Sequence, residues 1–303
     1  GGLDTIIEMQ LADLAKGHDE ALRLIDRCGL TEFFWKQVGK AYGYQADSPD
    51  IEDFAITLFK ACYAMSLTEE AALNAEALVF FRRWKNDKTG SAHFETLAKR
   101  FEGPLAIKAD VAKRDFRDLM AVDVFEEIER HIIRSIVQGM ANQTATPGEV
   151  LRLVQDRAGS QWHGQFKDIY EAIRFAAEFL KGLAEVTLGM TSLAEGFHRY
   201  ATTWFRLDQH YRRFIYHYQK CAQTSLLGHL FDRIENLYVN NYLVKLNDAW
   251  QEQVNKMSTW DIPGVDRQSD FYRRQAAFFR GQNQKFCVII SDAMRYEVAE
   301  ECL

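Results

Sequence analysis

Apolar residues recur at three- and four-residue steps over about residues 1–257, and this spacing predicts helix after helix. Ile51, Phe54, Ala55, Leu58, Phe59 and Cys62 form one such stripe, and Phe125, Ile128, Ile132 and Ile136 form another. Both should face a core. The polar devices that open helices stand where the stripes begin. Ser48-Pro49-Asp50 reads as an N-cap, a proline at the first helical position and an acid in the first turn. Thr146-Pro147-Gly148-Glu149 has the form of a capping box, and Ser192 with Glu195 repeats it. Glycine- and polar-rich breaks at 86–91, 139–148 and 159–164 separate the helical stretches.

Two long helices are expected at about 193–223 and 227–257, the second turning Ile234, Leu237, Tyr238, Tyr242, Leu246, Trp250 and Val254 inward. No fixed-period repeat is visible, so a regular solenoid is not expected. Pro263-Gly264 interrupts the pattern and marks a boundary, and one more helix is expected at about 268–280. Phe286-Cys287-Val288-Ile289-Ile290 then runs continuously apolar and is rich in β-branched residues. That is how a parallel strand buried on both faces reads. Helical spacing resumes after Ser291-Asp292, at Glu297, Val298 and Glu301. The expected fold is therefore mainly α: an irregular multi-helix domain, then the first β-strand and helix of a truncated α/β/α domain. The divisions fall at 1–190, 191–260 and 261–303. A lone strand is not stable without neighbours. The start at Gly1-Gly2 and the stop at Leu303 within a helical pattern point the same way, to a piece of a longer protein.

Composition narrows the class. Apolar residues make up 47% and charged residues 26%, enough to build a sizeable core, and only four prolines favour helix. A net charge of −6 argues against a surface that binds nucleic acid throughout. The five cysteines are scattered and form no CxxC pair, which fits a reducing, cytoplasmic setting with buried thiols. The longest apolar runs, 77–81 and 286–290, fall far short of the roughly 20 residues of a membrane helix.

An aspartate directly after a buried strand is well placed as a hard ligand for a divalent cation, as a nucleophile, or simply as the cap of the next helix. Asp292 is that residue. Haloacid-dehalogenase-type phosphatases need a second aspartate two positions on, where this chain has Met294. Receiver domains lack a large helical region upstream. The stretch Val288-Ile289-Ile290-Ser291-Asp292-Ala293-Met294-Arg295-Tyr296-Glu297 resembles the signature of the PglZ family. Trp260-Asp261-Ile262-Pro263-Gly264-Val265 and Phe271-Tyr272 resemble the segment before that strand. Tyr200-Ala201, Phe205, Asp208, Tyr211-Arg212-Arg213-Phe214 and Glu235-Asn236-Leu237-Tyr238-Val239-Asn240 are similar to the family's central helices. The resemblance is specific over about 195–303.

That resemblance implies a phosphatase-like component of a BREX phage-exclusion system, with a fold of the alkaline-phosphatase superfamily. Asp292 would be the first metal ligand. The other ligands, the Ser or Thr nucleophile, and a bound zinc, magnesium or manganese ion would belong to the full-length protein and not to this piece. Ser291 precedes the ligand and is not the nucleophile. Arg295 and Glu297 match the motif as phosphate or structural contacts. This chain is then a non-catalytic helical scaffold, with other BREX-type subunits as partners and no membrane. Two alternatives stay open: a metal-dependent nuclease with a DNA-binding helical arm, and a non-enzymatic assembly hub. For the nuclease, residues 199–220 set Arg199, Arg206, Arg212, Arg213 and Lys220 against the single acid Asp208, with Tyr200, Trp204, Tyr211, Tyr216 and Tyr218 interleaved. Arg206, Arg212 and Arg213 are the candidate phosphate contacts. Aromatic residues at this spacing also read as ordinary core, with arginines reaching outward over them. A second basic stretch, Arg267, Arg273, Arg274, Arg280 and Lys285, flanks the expected strand. His210 and His217 are seven apart, ~10 Å along a helix axis, too far to share an ion.

Overall fold

A computed structural model describes residues 2–282 and 284–303, and every regular element among them is helical. In chain order these are Leu3–Lys16, Glu20–Arg27, Thr31–Tyr42, Ile51–Ser66, Ala75–Asn86, Gly90–Glu102, Ile107–Val111, Glu126–Ala141, Pro147–Arg157 and His163–Glu185. Two segmented rods follow. The first joins Leu193–Arg199, a π-helical turn Tyr200–Trp204, and Phe205–Lys220. The second joins Gly228–Asn236, a π-helical segment Leu237–Leu243, and Val244–Val254. The region expected as one helix at 268–280 is broken into a 3₁₀ turn Gln268–Asp270, a π turn Tyr272–Ala276 and a short helix Ala277–Gly281. A five-residue helix, Tyr296–Glu300, lies near the end. The mainly α expectation holds. No described helix is long and apolar enough to cross a membrane.

The chain divides into two compact units, 1–136 with 153–167, and 137–152 with 168–303. In the first, the stripe residues Phe54, Ala55, Leu58, Phe59 and Cys62 are all fully buried. Phe59 sits amid Phe81, Trp84, Phe94, Phe101 and Phe125, with ring centroids 5.0 to 6.1 Å away. The cap of this helix is Asp50 and not Ser48: its carboxylate accepts from the Glu52 and Asp53 amides at 2.8 and 3.0 Å. Pro49 therefore precedes the helix. An ionised oxygen is a stronger amide acceptor than a hydroxyl, which accounts for the shift. A buried ion pair joins Arg157 and Glu129, and Arg157 also donates to the carbonyls of Met120 and Val122 at 2.7 and 3.1 Å.

In the second unit, Ser192 accepts from the Glu195 amide at 3.2 Å, while the Glu195 carboxylate reaches back to the Thr191 amide at 2.7 Å, one residue beyond the standard box. Along the second rod Ile234, Tyr238 and Tyr242 are buried, but Leu237, Leu246, Trp250 and Val254 are half-exposed and Gln253 is buried instead. Helix geometry explains this. Successive four-residue steps drift about 40° each around a helix of 3.6 residues per turn, so Trp250 and Val254 rotate off the face of Tyr242 and Gln253, eleven residues on, returns to it.

The expected strand does not form. Residues 286–290 are neither helix nor strand, with Val288, Ile289 and Ile290 exposed to 49%, 93% and 90%. A strand takes its ladder bonds from neighbours, and no described segment forms one beside it. The thiols also differ from expectation: Cys62 and Cys221 are buried, while Cys28, Cys287 and Cys302 are exposed.

Candidate functional site

The signature divides into an open half and a docked half. In the open half, Phe286 stacks on Phe279 with centroids 5.2 Å apart, and the apolar run borders a wide groove of about 870 Å³ shared with Phe271, Arg274 and Phe279. Arg274 and Arg267, which line that groove, pair with Asp266 and Asp261, the latter pair at 2.7 Å. Asp292 is exposed in a turn whose next residue, Ala293, takes a left-handed φ of +57°. Asp292 does not cap the following helix. Arg295 occupies the N-cap position of Tyr296–Glu300, with no side-chain cap bond. Ser291 is exposed as well.

The docked half is Arg295-Tyr296-Glu297 and the turn after it. The Tyr296 ring packs edge-on against Tyr200 and Phe205, with centroids at 5.9 and 5.4 Å, and its hydroxyl donates to the Ala201 carbonyl at 3.0 Å. Glu297 is 1% exposed; its carboxylate lies 3.7 Å from Arg295 and 3.8 Å from Arg212, within charge contact but beyond hydrogen-bond length. Glu301 pairs with Arg212 at 2.7 Å and Arg213 at 2.9 Å. Partial burial opposes its ionisation, but the two guanidiniums prevail and hold this carboxyl down to about 2. Arg212 and Arg213 are thus engaged with the signature turn. Arg206 is not: it lies over the Phe205 ring at 5.9 Å and borders a separate groove with Glu178, Lys181 and His210.

Beneath the docked half is a cluster that the sequence reading did not single out as a unit. Asp208, 7% exposed, accepts from Tyr200 at 2.7 Å, Tyr238 at 2.7 Å and Tyr242 at 3.0 Å. Tyr200 comes from the π turn of the first rod; Tyr238 and Tyr242 come from the π segment of the second. Tyr211 stacks flat on Tyr238 at 3.5 Å and donates to Glu235. Burial, reinforced by the hydrogen bonds to Asp208 and its charge, pushes the phenols of Tyr200, Tyr238 and Tyr242 well above the usual tyrosine range. Arg295 is electrostatically coupled to Tyr238, Glu297 and Asp208. The available signal was Asp208 itself, a lone acid in a basic, aromatic helix.

Two curated relatives match almost the whole chain. The alkaline phosphatase-like protein PglZ of Bacillus cereus is 24% identical over 312 residues, covering 99% of this chain and 36% of that protein. The alkaline phosphatase-like protein BrxZ of Escherichia coli O9:H4 is 30% identical over 313 residues, covering 92% of this chain and 35% of that protein. The chain belongs to the PglZ family. It spans about a third of the length of these PglZ-type relatives. No family model matches it, and no solved structure matches it.

An alkaline-phosphatase-like centre needs several metal ligands, typically about four or more. Among the described residues no three His, Cys, Asp or Glu side chains converge in a way that could hold an ion. Asp292 offers one carboxylate, so the described residues do not make a complete metal site. The histidines have other company. His217 bonds Asp168 through Nδ1 at 2.8 Å and stacks on Phe175, while burial pulls His210 below the usual imidazole range.

Proposed function

We propose that this chain is the helical support of a PglZ-type phage-defence protein and presents Asp292 as the first metal ligand of an alkaline-phosphatase-like domain. The observation that supports this reading is the division of the signature: Glu297 is 1% exposed against the rods, while Ile289 and Ile290, just before Asp292, are 93% and 90% exposed. An apolar β-branched run left this open is suited to join a sheet supplied by the remaining two thirds of a PglZ-type protein. In that sheet Asp292 would stand at a strand's carboxyl end, where open parallel sheets hold their ligands. A divalent zinc, magnesium or manganese ion there would polarise a phosphoryl oxygen and activate a nucleophile. This chain contributes the ligand and its mounting, and its helical surfaces meet other subunits of the BREX-type system.

The test compares the 303-residue chain with a full-length PglZ-type protein containing it, using a generic aryl phosphate and a bis-aryl phosphodiester with each metal in turn. Metal-dependent turnover by the longer protein, abolished in Asp292→Ala, is the expected result. Turnover by the chain alone, lost in Asp292→Ala, overturns the support reading. Tight DNA binding by the chain that weakens steeply with salt and is lost in Arg206→Ala would instead favour the nuclease arm.

A further inference from the structure

The docked half of the signature and the Asp208 cluster share one region of the second unit, and we infer that residues 295–301 form a latch that positions Asp292, with Arg212 and Asp208 as its positioning residues. The inference rests on the reading of Asp292 as a ligand and adds how that ligand is held.

Three anchors act within seven residues. Tyr296 packs edge-on against Tyr200 and Phe205 and bonds the Ala201 carbonyl at 3.0 Å. Glu297 is buried against Arg212 and Arg295. Glu301 bridges Arg212 and Arg213 at 2.7 and 2.9 Å. The first anchored position, Tyr296, is four residues from Asp292, a reach of at most ~14 Å. Between them Ala293 holds a left-handed φ of +57°, which costs a residue with a Cβ about 1–2 kcal/mol. Such a conformation persists where the surroundings over-determine it. The preceding run, exposed at Val288, Ile289 and Ile290, does not supply that constraint, whereas the latch does.

The receptor for the latch is itself braced. Tyr200 belongs to the first rod, Tyr238 and Tyr242 to the second, and all three hydroxyls bind one carboxylate. Asp208 therefore fixes the two π segments against each other, and with them the Tyr200 ring that receives Tyr296. Asp208 and Arg212 lie four apart on one helix, so the brace and the ion pairs share a rigid element.

The test places a nitroxide spin label at Ser291→Cys in the 303-residue chain, with Cys28, Cys287 and Cys302 replaced by serine. It is combined with hydrogen exchange at the Val298 and Ala299 amides, which bond the Arg295 carbonyl at 3.1 Å, in the chain with its native cysteines. In Arg212→Met/Glu301→Gln, exchange at these amides should rise about tenfold, the scale of losing charge-assisted hydrogen bonds, and the label spectrum should sharpen. Arg212→Lys should recover most of the broad spectrum. Tyr296→Phe, which keeps the rings and loses one hydrogen bond, should change both readouts in the same direction but less, and serves if the double variant fails to fold. Freed amides with an unchanged label spectrum would overturn the positioning role, and no change in either would overturn the latch. Asp292→Asn should leave both readouts at the wild-type value. If it does so without affecting turnover in the longer protein, the ligand reading fails while the latch stands.

Discussion

Replacing Asp208 with alanine removes the one acceptor shared by three tyrosine hydroxyls. Two of those phenols, Tyr238 at 5% and Tyr242 at 0% exposed, have no access to bulk water. Each lost bond to a charged acceptor is worth about 1.5–3 kcal/mol. Tyr200 is half-exposed and can turn to water, and Tyr242 keeps an acceptor in the Trp204 carbonyl at 3.1 Å. Removing a buried charge also returns part of its desolvation cost. The net loss should be about 3 kcal/mol, against about 1 kcal/mol for Tyr242→Phe, which leaves the carboxylate two donors. The chain has two compact units, so a whole-chain melting temperature does not isolate the second. Hydrogen exchange resolved to 205–220 and 228–254 reports the right unit, and both segments should lose protection together because the cluster joins them. Asp208→Ala costing no more than Tyr242→Phe would refute the reasoning. A second arm uses pH. The three phenols titrate above the ordinary value of 10.0, so the stability they contribute is complete below pH 10 and falls as pH rises beyond it.

Other outcomes follow from single contacts. Glu301, held down to about 2 from 4.5, stabilises the latch fully above about pH 4.5, so the protection factor of Val298 should fall between pH 4.5 and 2, and Glu301→Gln should flatten that dependence. Arg157→Met takes the cation from Glu129, 0% exposed, leaving the Ser160 hydroxyl at 3.0 Å, and should destabilise the first unit by about 3–5 kcal/mol, measured by exchange in Glu126–Ala141. Gly90→Ala would put a Cβ 2.5 Å from the Trp84 carbonyl oxygen, and should cost about 1–3 kcal/mol in urea unfolding of the first unit. Asp292→Asn, on an exposed turn of the second unit, should stay within about 0.5 kcal/mol of wild type by hydrogen exchange in 205–220 and 228–254.

Much of the helical organisation was legible because the patterns that dictate it are local. The buried stripe from Phe54 to Cys62 and the caps at Thr146 and Ser192 depend on spacing and on side chains within three residues. Errors of one or two positions, as at Ser48 and Asp50, reflect competition between two adjacent acceptors that composition alone does not rank. The strand at 286–290 failed for the opposite reason. Its pattern was read correctly as apolar and β-branched, but a strand is defined by partners, and none of the described residues pairs with it.

The Asp208 cluster was illegible for a different physical reason. Three tyrosines reach one carboxylate from chain positions up to 34 residues away, and two π segments turn them there. The expected run of four-residue steps to Leu246, Trp250 and Val254 also overlooked the drift of about 40° per step around an α-helix, which carries Trp250 and Val254 off the face of Tyr242. Tyr238 and Tyr242, four residues apart, share one face of the second rod and both reach Asp208. Without that pair the brace would depend on Tyr200 alone, and the site that receives Tyr296 would have no fixed geometry. The π segments carry all three of these tyrosines and so form the seat against which the signature is held. Replacing Asn240 or Asn241 so as to favour plain α-helix should loosen the latch from a distance without touching any residue in it.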